Sequence, residues 1–426
     1  MRRFASLSVV VGLLVLPVAF AQAPGTIFIK NGHIIPVVGP SIDKGSLLIR
    51  DGKIVDIGAN IKAPSGATVI DAEGMYVYPG MVAPLTAVGV TGYPRAGNDT
   101  DETGVSTPHM DPYDALNPED DCIDVTRIDG VTTVLTVSGS RNVLNGKAIV
   151  LNLDGNLAHE LLLERDVAQV FNMTAKRDGK YPSTLQGVNA FVRDKLYEAK
   201  RYAEKKEKNG DEDSFKRDLE MEALLPVVNK EMPAIFLTSD EVTIRNALRM
   251  IEEYDLKGII QAGADILKYA DQLAAKKIPV IWSGTTTIPK RWEPVDLNYH
   301  TAAVLAEKGV LFAFNEGTRG PGSRNVRRQP VPASLSVAYG LSEDEAIKAL
   351  TINPAKILGI DDRVGSLEKG KIANVVISSK SLIQMSAKIH TVIINGKVIP
   401  LTSVQTRLRD KYERIVKERM KKKKST

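Results

Sequence analysis

The chain has 426 residues, 43% of them apolar and 25% charged, with a single cysteine. That balance excludes a disordered, collagenous or multi-span membrane chain, and the length allows two or three domains or one large barrel. The formal net charge of +5 invites a nucleic-acid reading, which depends on where the charges lie along the chain.

Residues 1–23 have the layout of a cleaved signal peptide. Arg2 and Arg3 open it, residues 9–20 are apolar apart from Gly12 and Pro17, and small residues close it as Ala19-Phe20-Ala21 or Ala21-Gln22-Ala23. The alternative, an uncleaved anchor, would have to span about 30 Å of hydrocarbon with a stretch that is short for the task. The expectation is therefore a periplasmic or secreted protein. Cys122 stands alone and offers no intrachain disulfide.

Residues 24–77 alternate short β runs with turn pairs, Asn31-Gly32 and Asp51-Gly52, which are strong hairpin signals. A similar piece, residues 366–402, carries Asn395-Gly396 between two β runs. Two β-rich pieces flanking a long α/β middle predict one small β-sandwich assembled from both ends of the chain.

The middle, residues 78–365, predicts strands over 76–82, 131–137, 148–153, 234–237, 258–261, 278–282 and 310–314. Amphipathic helical stretches fall over 241–254, 265–276 and 301–308, the first with Thr238-x-x-Glu241 as a capping box. Repeated β-α units predict a (β/α)8 TIM-like barrel with its site on the loops after the strands, and a doubly wound sheet is the rival. Residues 172–232 form a charged insertion; Val188, Phe191, Val192, Leu196, Ala199 and Ala203 give it an apolar stripe, and Asn209-Gly210 divides it into two helices.

Residues 403–426 form a basic helical tail. Between 407 and 424, ten Lys or Arg face three Asp or Glu, a local +7; with that and the two leader arginines removed from the total of +5, the body carries −4. Leu408, Tyr412, Ile415 and Val416 recur at near-helical spacing, so the tail reads as an amphipathic helix able to make peripheral contact with a membrane. An acidic body and an exported chain point away from nucleic acid.

The segments "GSLLIRDGKIVDIG" at 45–58, "VIDAEGMYVYPGMV" at 69–82, "ALTINPAKILGIDDRVGSLEKGKIANVVI" at 349–377 and the final "VIINGKVI" resemble the opening and closing signatures of the amidohydrolase superfamily. The resemblance covers most of residues 26–400 and is strongest to the exported, imidazolonepropionase-like branch. It implies a metallohydrolase barrel with a composite β-sandwich, and hydrolysis of C–N or similar bonds by water activated on one or two divalent metals.

The resemblance also implies ligand positions that this chain fills differently. The His-x-His after the first barrel strand falls on Leu85 and Ala87, and the aspartate before it on Ala83. Two further His positions fall on Leu237 and Gln261, the last-strand aspartate falls on Asn315 or Glu316, and Asn374 replaces the closing-motif aspartate. The five histidines, His33, His109, His159, His300 and His390, include no two at ligand spacing. The expectation is thus no metal and no cofactor, with Zn2+ or another divalent metal as the alternative.

Three other places attract a ligand reading. The loop 94–121 is acidic, which suits Ca2+, although its spacing matches no EF-hand. Residues 315–328, "NEGTRGPGSRNVRR", combine glycines with Arg319 and Arg324, and residues 138–147 carry Arg141; Arg grips carboxylate or phosphate bidentately. The sequence thus predicts a degenerate member of the family, a pseudoenzyme that binds a small-molecule ligand through Arg141, Arg319 and Arg324 or pairs with an active relative or itself. The alternative is a working hydrolase of non-peptide C–N bonds, with Asn315 and Glu316 as catalytic residues at an atypical metal site.

Overall fold

A computed structural model of the chain describes residues 25–92, 99–100, 102–175, 179–209, 215–288, 296–316 and 325–424. The expected leader, residues 1–23, lies outside them.

Strands β1 (Ile27–Ile34), β2 (Ile42–Arg50), β3 (Lys53–Gly58), β4 (Thr68–Asp71) and β5 (Tyr76–Pro79) come first. They join β14 (Val375–Ser378), β15 (Ile389–Ile394) and β16 (Lys397–Ile399) in one sheet, ordered β16-β15-β14-β5-β1-β2-β3 with β4 on β1. Ile29, Ile49, Ile54, Val375 and Ile393 share one buried core, so this sheet folds over on itself.

Two turn pairs behave as their chemistry demands. Asp51 and Gly52 have φ of 51° and 78°, Asn395 and Gly396 of 53° and 71°; two successive positive φ values are what a two-residue type I′ hairpin needs. Asn31-Gly32 departs from the expectation. Asn31 has φ 57° inside β1, and the pairing with β2 shifts register on both sides of Gly32. The pair is a bulge that kinks a continuous strand, not a reversal.

The second sheet contains β6 (Met81–Thr86), β7 (Val131–Val137), β8 (Leu144–Asn152), β9 (Leu162–Asn172), β10 (Ala234–Leu237), β11 (Gly258–Ala262), β12 (Val280–Trp282) and β13 (Phe312–Phe314), in sequence order. Its eight strands form the barrel-like wall, with Val82, Leu85, Leu135, Val150, Val170 and Ile235 among the side chains that fill its interior. Burying each such side chain contributes roughly 1.5–3 kcal/mol. The all-parallel (β/α)8 expectation is corrected at one strand: β8 runs antiparallel to both β7 and β9. The connection 138–143 is too short for a crossover helix, so β7 must return directly into β8.

The β run at 76–82 divides between the two sheets at Gly80. Its N–H donates to the Asn374 carbonyl at 2.9 Å, and a Cβ there would stand 2.1 Å from Thr132 Oγ1. Only glycine lets the chain cross from one sheet to the other at this point. Behind it a buried amide cluster ties the sheets together: Asn374 Nδ2 donates to Asn152 Oδ1 at 2.6 Å, and Asn152 Nδ2 donates to Asn395 Oδ1 at 2.6 Å.

The helices are α1 (Asp121–Arg127), α2 (Ala158–Leu161), α3 (Leu185–Asn209), α4 (Leu219–Val228), α5 (Glu241–Tyr254), α6 (Ala270–Lys276), α7 (Leu297–Glu307), α8 (Pro330–Ala338), α9 (Glu343–Leu350), α10 (Ile352–Ile357) and α11 (Val404–Lys424). Helix α3 buries Val188, Val192, Leu196 and Ala199. The cap of α5 is Asp240, whose carboxylate accepts from Thr243 N; Thr238 instead donates its hydroxyl to Gln261 O. His300 lies within α7 rather than before it.

Candidate functional site

In a barrel of this kind the chemistry belongs at the C-terminal ends of the parallel strands, where the loops converge. Alternation along each strand determines which side chains face inward there. Ala168 and Val170 on β9, Ile235 on β10 and Ile259 on β11 belong to the interior, which puts Asn172, Leu237 and Gln261 on the same face one step further up. Leu237 pairs in register with Asn172 on one side and with Gln261 on the other. The next inward positions on the last two strands are Ser283 and Asn315.

This row is uncharged. Leu85 is fully buried in the interior apolar cluster, and Ala87 and Leu237 are each 3% exposed. Asn172 donates to Ser140 O at 2.6 Å and accepts from Thr174 N. Gln261 is half-buried. Aliphatic carbon has no lone pair for a metal, and neutral amides bind divalent ions weakly without carboxylate or imidazole beside them. Leu85, Ala87, Asn172, Leu237 and Gln261 therefore do not supply the ligand set of the family's one- or two-metal centre.

Asn315 is 2% exposed, and its Nδ2 donates to Ser283 Oγ at 3.2 Å. Glu316 follows it, half-buried, accepting from the Thr286 hydroxyl at 2.5 Å. Arg141 sits in the β7–β8 turn with its side chain 67% exposed and its Nε 3.2 Å from Glu102. Glu102 also accepts from Ser140 N at 2.8 Å, so this carboxylate orders the turn that carries the arginine. Arg319 and Arg324 lie outside the described residues. Asn172 and Ser283 were not foreseen as mouth residues; Asn172 ends a strand whose first half reads as charged surface.

The histidines are spread over the molecule. His33 Nδ1 lies 2.5 Å from Asp43 in the first sheet, His390 is in β15, and His159 is in α2 at the opposite end of the barrel. His300 packs against Tyr339 on α7, and His109 is exposed in the connection after β6. Among the described residues, one group of acidic, His or Cys side chains is close enough to share an ion, Asp120 with Asp121 and Cys122. Asp120 is committed to local structure: it caps α1 by accepting from Cys122 N at 2.8 Å, and it accepts from Gly89 N at 2.6 Å. Burial raises its carboxyl above the usual range, and those two backbone hydrogen bonds oppose the shift.

The acidic loop is similarly occupied. Asp111 caps a short 3-10 turn, Pro112–Ala115, and pairs with Arg165. A cavity of about 760 Å3 opens at the other end of the barrel, between Pro233, Gly258, Pro279 and Lys356. Pro233 and Pro279 precede β10 and β12, and Gly258 opens β11, so the cavity lies at the strand starts and is remote from Asn315 and Glu316 at a strand end.

An eight-stranded barrel-like wall attached to a sheet built from both chain ends is the architecture of the amidohydrolase fold, on which activity is decided by the site and not by the scaffold. The comparisons agree with it. The chain belongs to the amidohydrolase family: that family's profile matches residues 308–399, and an amidohydrolase structure from Thermotoga maritima MSB8 superposes with a TM-score of 0.80 at 30% identity, covering 88% of this chain and 99% of that one. An imidazolonepropionase from Flavobacterium psychrophilum is 23% identical over 87% of this chain and 97% of its own length. A D-hydantoinase from Geobacillus stearothermophilus is 52% identical over 61 residues, and the chain spans 12% of that enzyme's length.

Proposed function

We propose that this chain is an exported amidohydrolase-family protein that does not hydrolyse amides by itself, and that it binds a small-molecule ligand at the barrel mouth or serves as the partner of an active relative. The observation that carries this reading is the uncharged row Asn172, Leu237 and Gln261 beside Leu85 and Ala87. Metal-activated water needs anionic or imidazole ligands converging on one ion. Here the corresponding side chains are aliphatic or amide. Export rests on the leader-like layout of residues 1–23, and no helix of the described residues is long and apolar enough to cross a membrane.

A second reading is favoured by Glu316. A half-buried carboxylate held by the Thr286 hydroxyl at a strand C-terminus has the position of a general base, and Asn315 beside it offers an amide to a carbonyl oxygen. Such a site would hydrolyse non-peptide C–N bonds, with Zn2+ or another divalent ion bound atypically.

The test is hydrolysis of imidazolonepropionate, hydantoin and simple cyclic amides by the purified chain supplied with zinc, manganese or iron. The first reading expects rates equal to those of buffer with metal. Chelator-sensitive turnover that Glu316→Gln abolishes would overturn it and establish the second.

A further inference from the structure

Helix α11 stays on the body only at its beginning. Ser403 is buried and accepts from Thr406 N, and Arg327 pairs with Gln405. Beyond them every described side chain through Met420 is exposed except the half-buried Ile415. At 1.5 Å per residue the 21-residue helix is about 30 Å long, so most of it stands free of the barrel.

The free part has two characters. Leu408, Tyr412, Val416 and Met420 are 48%, 58%, 52% and 63% exposed. At 100° per residue Leu408, Tyr412, Ile415 and Val416 fall within an arc of about 100°. Around them residues 407–424 carry ten cations and three anions. We propose that α11 lies on an anionic lipid bilayer, its apolar arc at the headgroup boundary and its lysines and arginines against the lipid phosphates.

Charge and register select this occupant over a second copy of the helix. With Leu408 and Ile415 at the a positions of a heptad the d positions are Lys411 and Glu418, and with them at d the a positions are Gln405, Tyr412 and Arg419, so either register puts polar or charged side chains into a coiled-coil seam. Two helices of +7 also repel each other, whereas an anionic surface attracts each of them. The body at −4 gives no comparable attraction, so binding should reside in this helix. The inference is independent of what the barrel does.

The full-length purified chain would be floated with vesicles of pure phosphatidylcholine and of phosphatidylcholine with 30% phosphatidylglycerol, in low and high salt. The expected result is binding to the anionic vesicles alone, weakened at least tenfold by raising salt from 0.05 to 0.3 M, since the Debye length then shortens. Arg414→Glu with Lys417→Glu should lower the partition coefficient tenfold or more, and so should Leu408→Ser with Tyr412→Ser and Val416→Ser. All these positions are exposed, and an unchanged melting temperature shows that the barrel is intact. Equal binding to neutral vesicles, absence of binding to anionic ones, or a dimer in solution that the serine variant dissociates would each overturn the proposal.

Discussion

The side-chain amide of Gln329 donates to the main-chain carbonyl of Val82 at 2.8 Å, and the same nitrogen lies 3.2 Å from the carbonyl of Phe314. Val82 is on β6 and Phe314 on β13, the two ends of the barrel sheet. One buried glutamine just before α8 therefore bridges the seam where the wall would otherwise be open.

Gln329→Leu keeps most of the volume and removes the donor from two buried carbonyls. Leaving such acceptors unsatisfied costs ~1–3 kcal/mol for each group, and removing the buried, partnerless Gln329 Oε1 returns about one such term, so unfolding in urea should show a net loss of about 1–3 kcal/mol. A change below about 0.5 kcal/mol, the range of ordinary surface substitutions, would show that the seam is held by something else.

Gly80→Ala places a methyl 2.1 Å from Thr132 Oγ1 and 2.3 Å from Thr132 Cγ2. Overpacking of a rigid core costs ~1–3 kcal/mol. The expectation is a loss in that range, partly recovered in Gly80→Ala with Thr132→Ala because the two nearest atoms are then gone. Strict additivity of the two substitutions in a double-mutant cycle would refute this contact.

Asp120 gives a pH signature. Its carboxyl is raised in the folded protein by burial, so the folded state holds a proton that the unfolded chain releases first. Its contribution to stability is therefore complete below the ordinary carboxylate pKa and declines as pH rises through the folded-state value. Asp120→Asn loses one backbone acceptor and is less stable throughout, but it lacks this decline. The stability gap between the two proteins should be wider at pH 4 than at pH 7, measured by urea unfolding; parallel pH profiles would contradict it.

Much of the fold was legible because its signals are local. Glu241–Tyr254 has one apolar face and a clear start, and Asp51-Gly52 and Asn395-Gly396 have a backbone preference that needs no tertiary help. Strand β9 was illegible because Glu164, Arg165 and Asp166 interrupt its apolar run and face solvent at one end of the wall. The reversal of β8 was hidden for another reason: strand direction depends on the length of the connection, and the short turn 138–143 was read as a site loop.

Part of the placement of the candidate site was legible. Leu85, Ala87, Leu237 and Gln261 could be placed by their distance from the signatures, and the register of β9, β10 and β11 puts Leu237 and Gln261 side by side with Asn172. Gln329 could not have been found this way. Its role exists only when the two ends of the sheet meet, a contact spanning 247 residues to Val82.

On the reading proposed above, the strand ends of this barrel do not form the metal centre of their family. Metal content tests it most directly: zinc, manganese, iron, cobalt and nickel per chain, measured by mass spectrometry on protein produced in metal-supplemented medium and dialysed without chelator. Substoichiometric metal is expected, because aliphatic and neutral amide side chains make a poor ligand set for these ions. One or two equivalents retained through dialysis, and lost on Glu316→Gln, would contradict it.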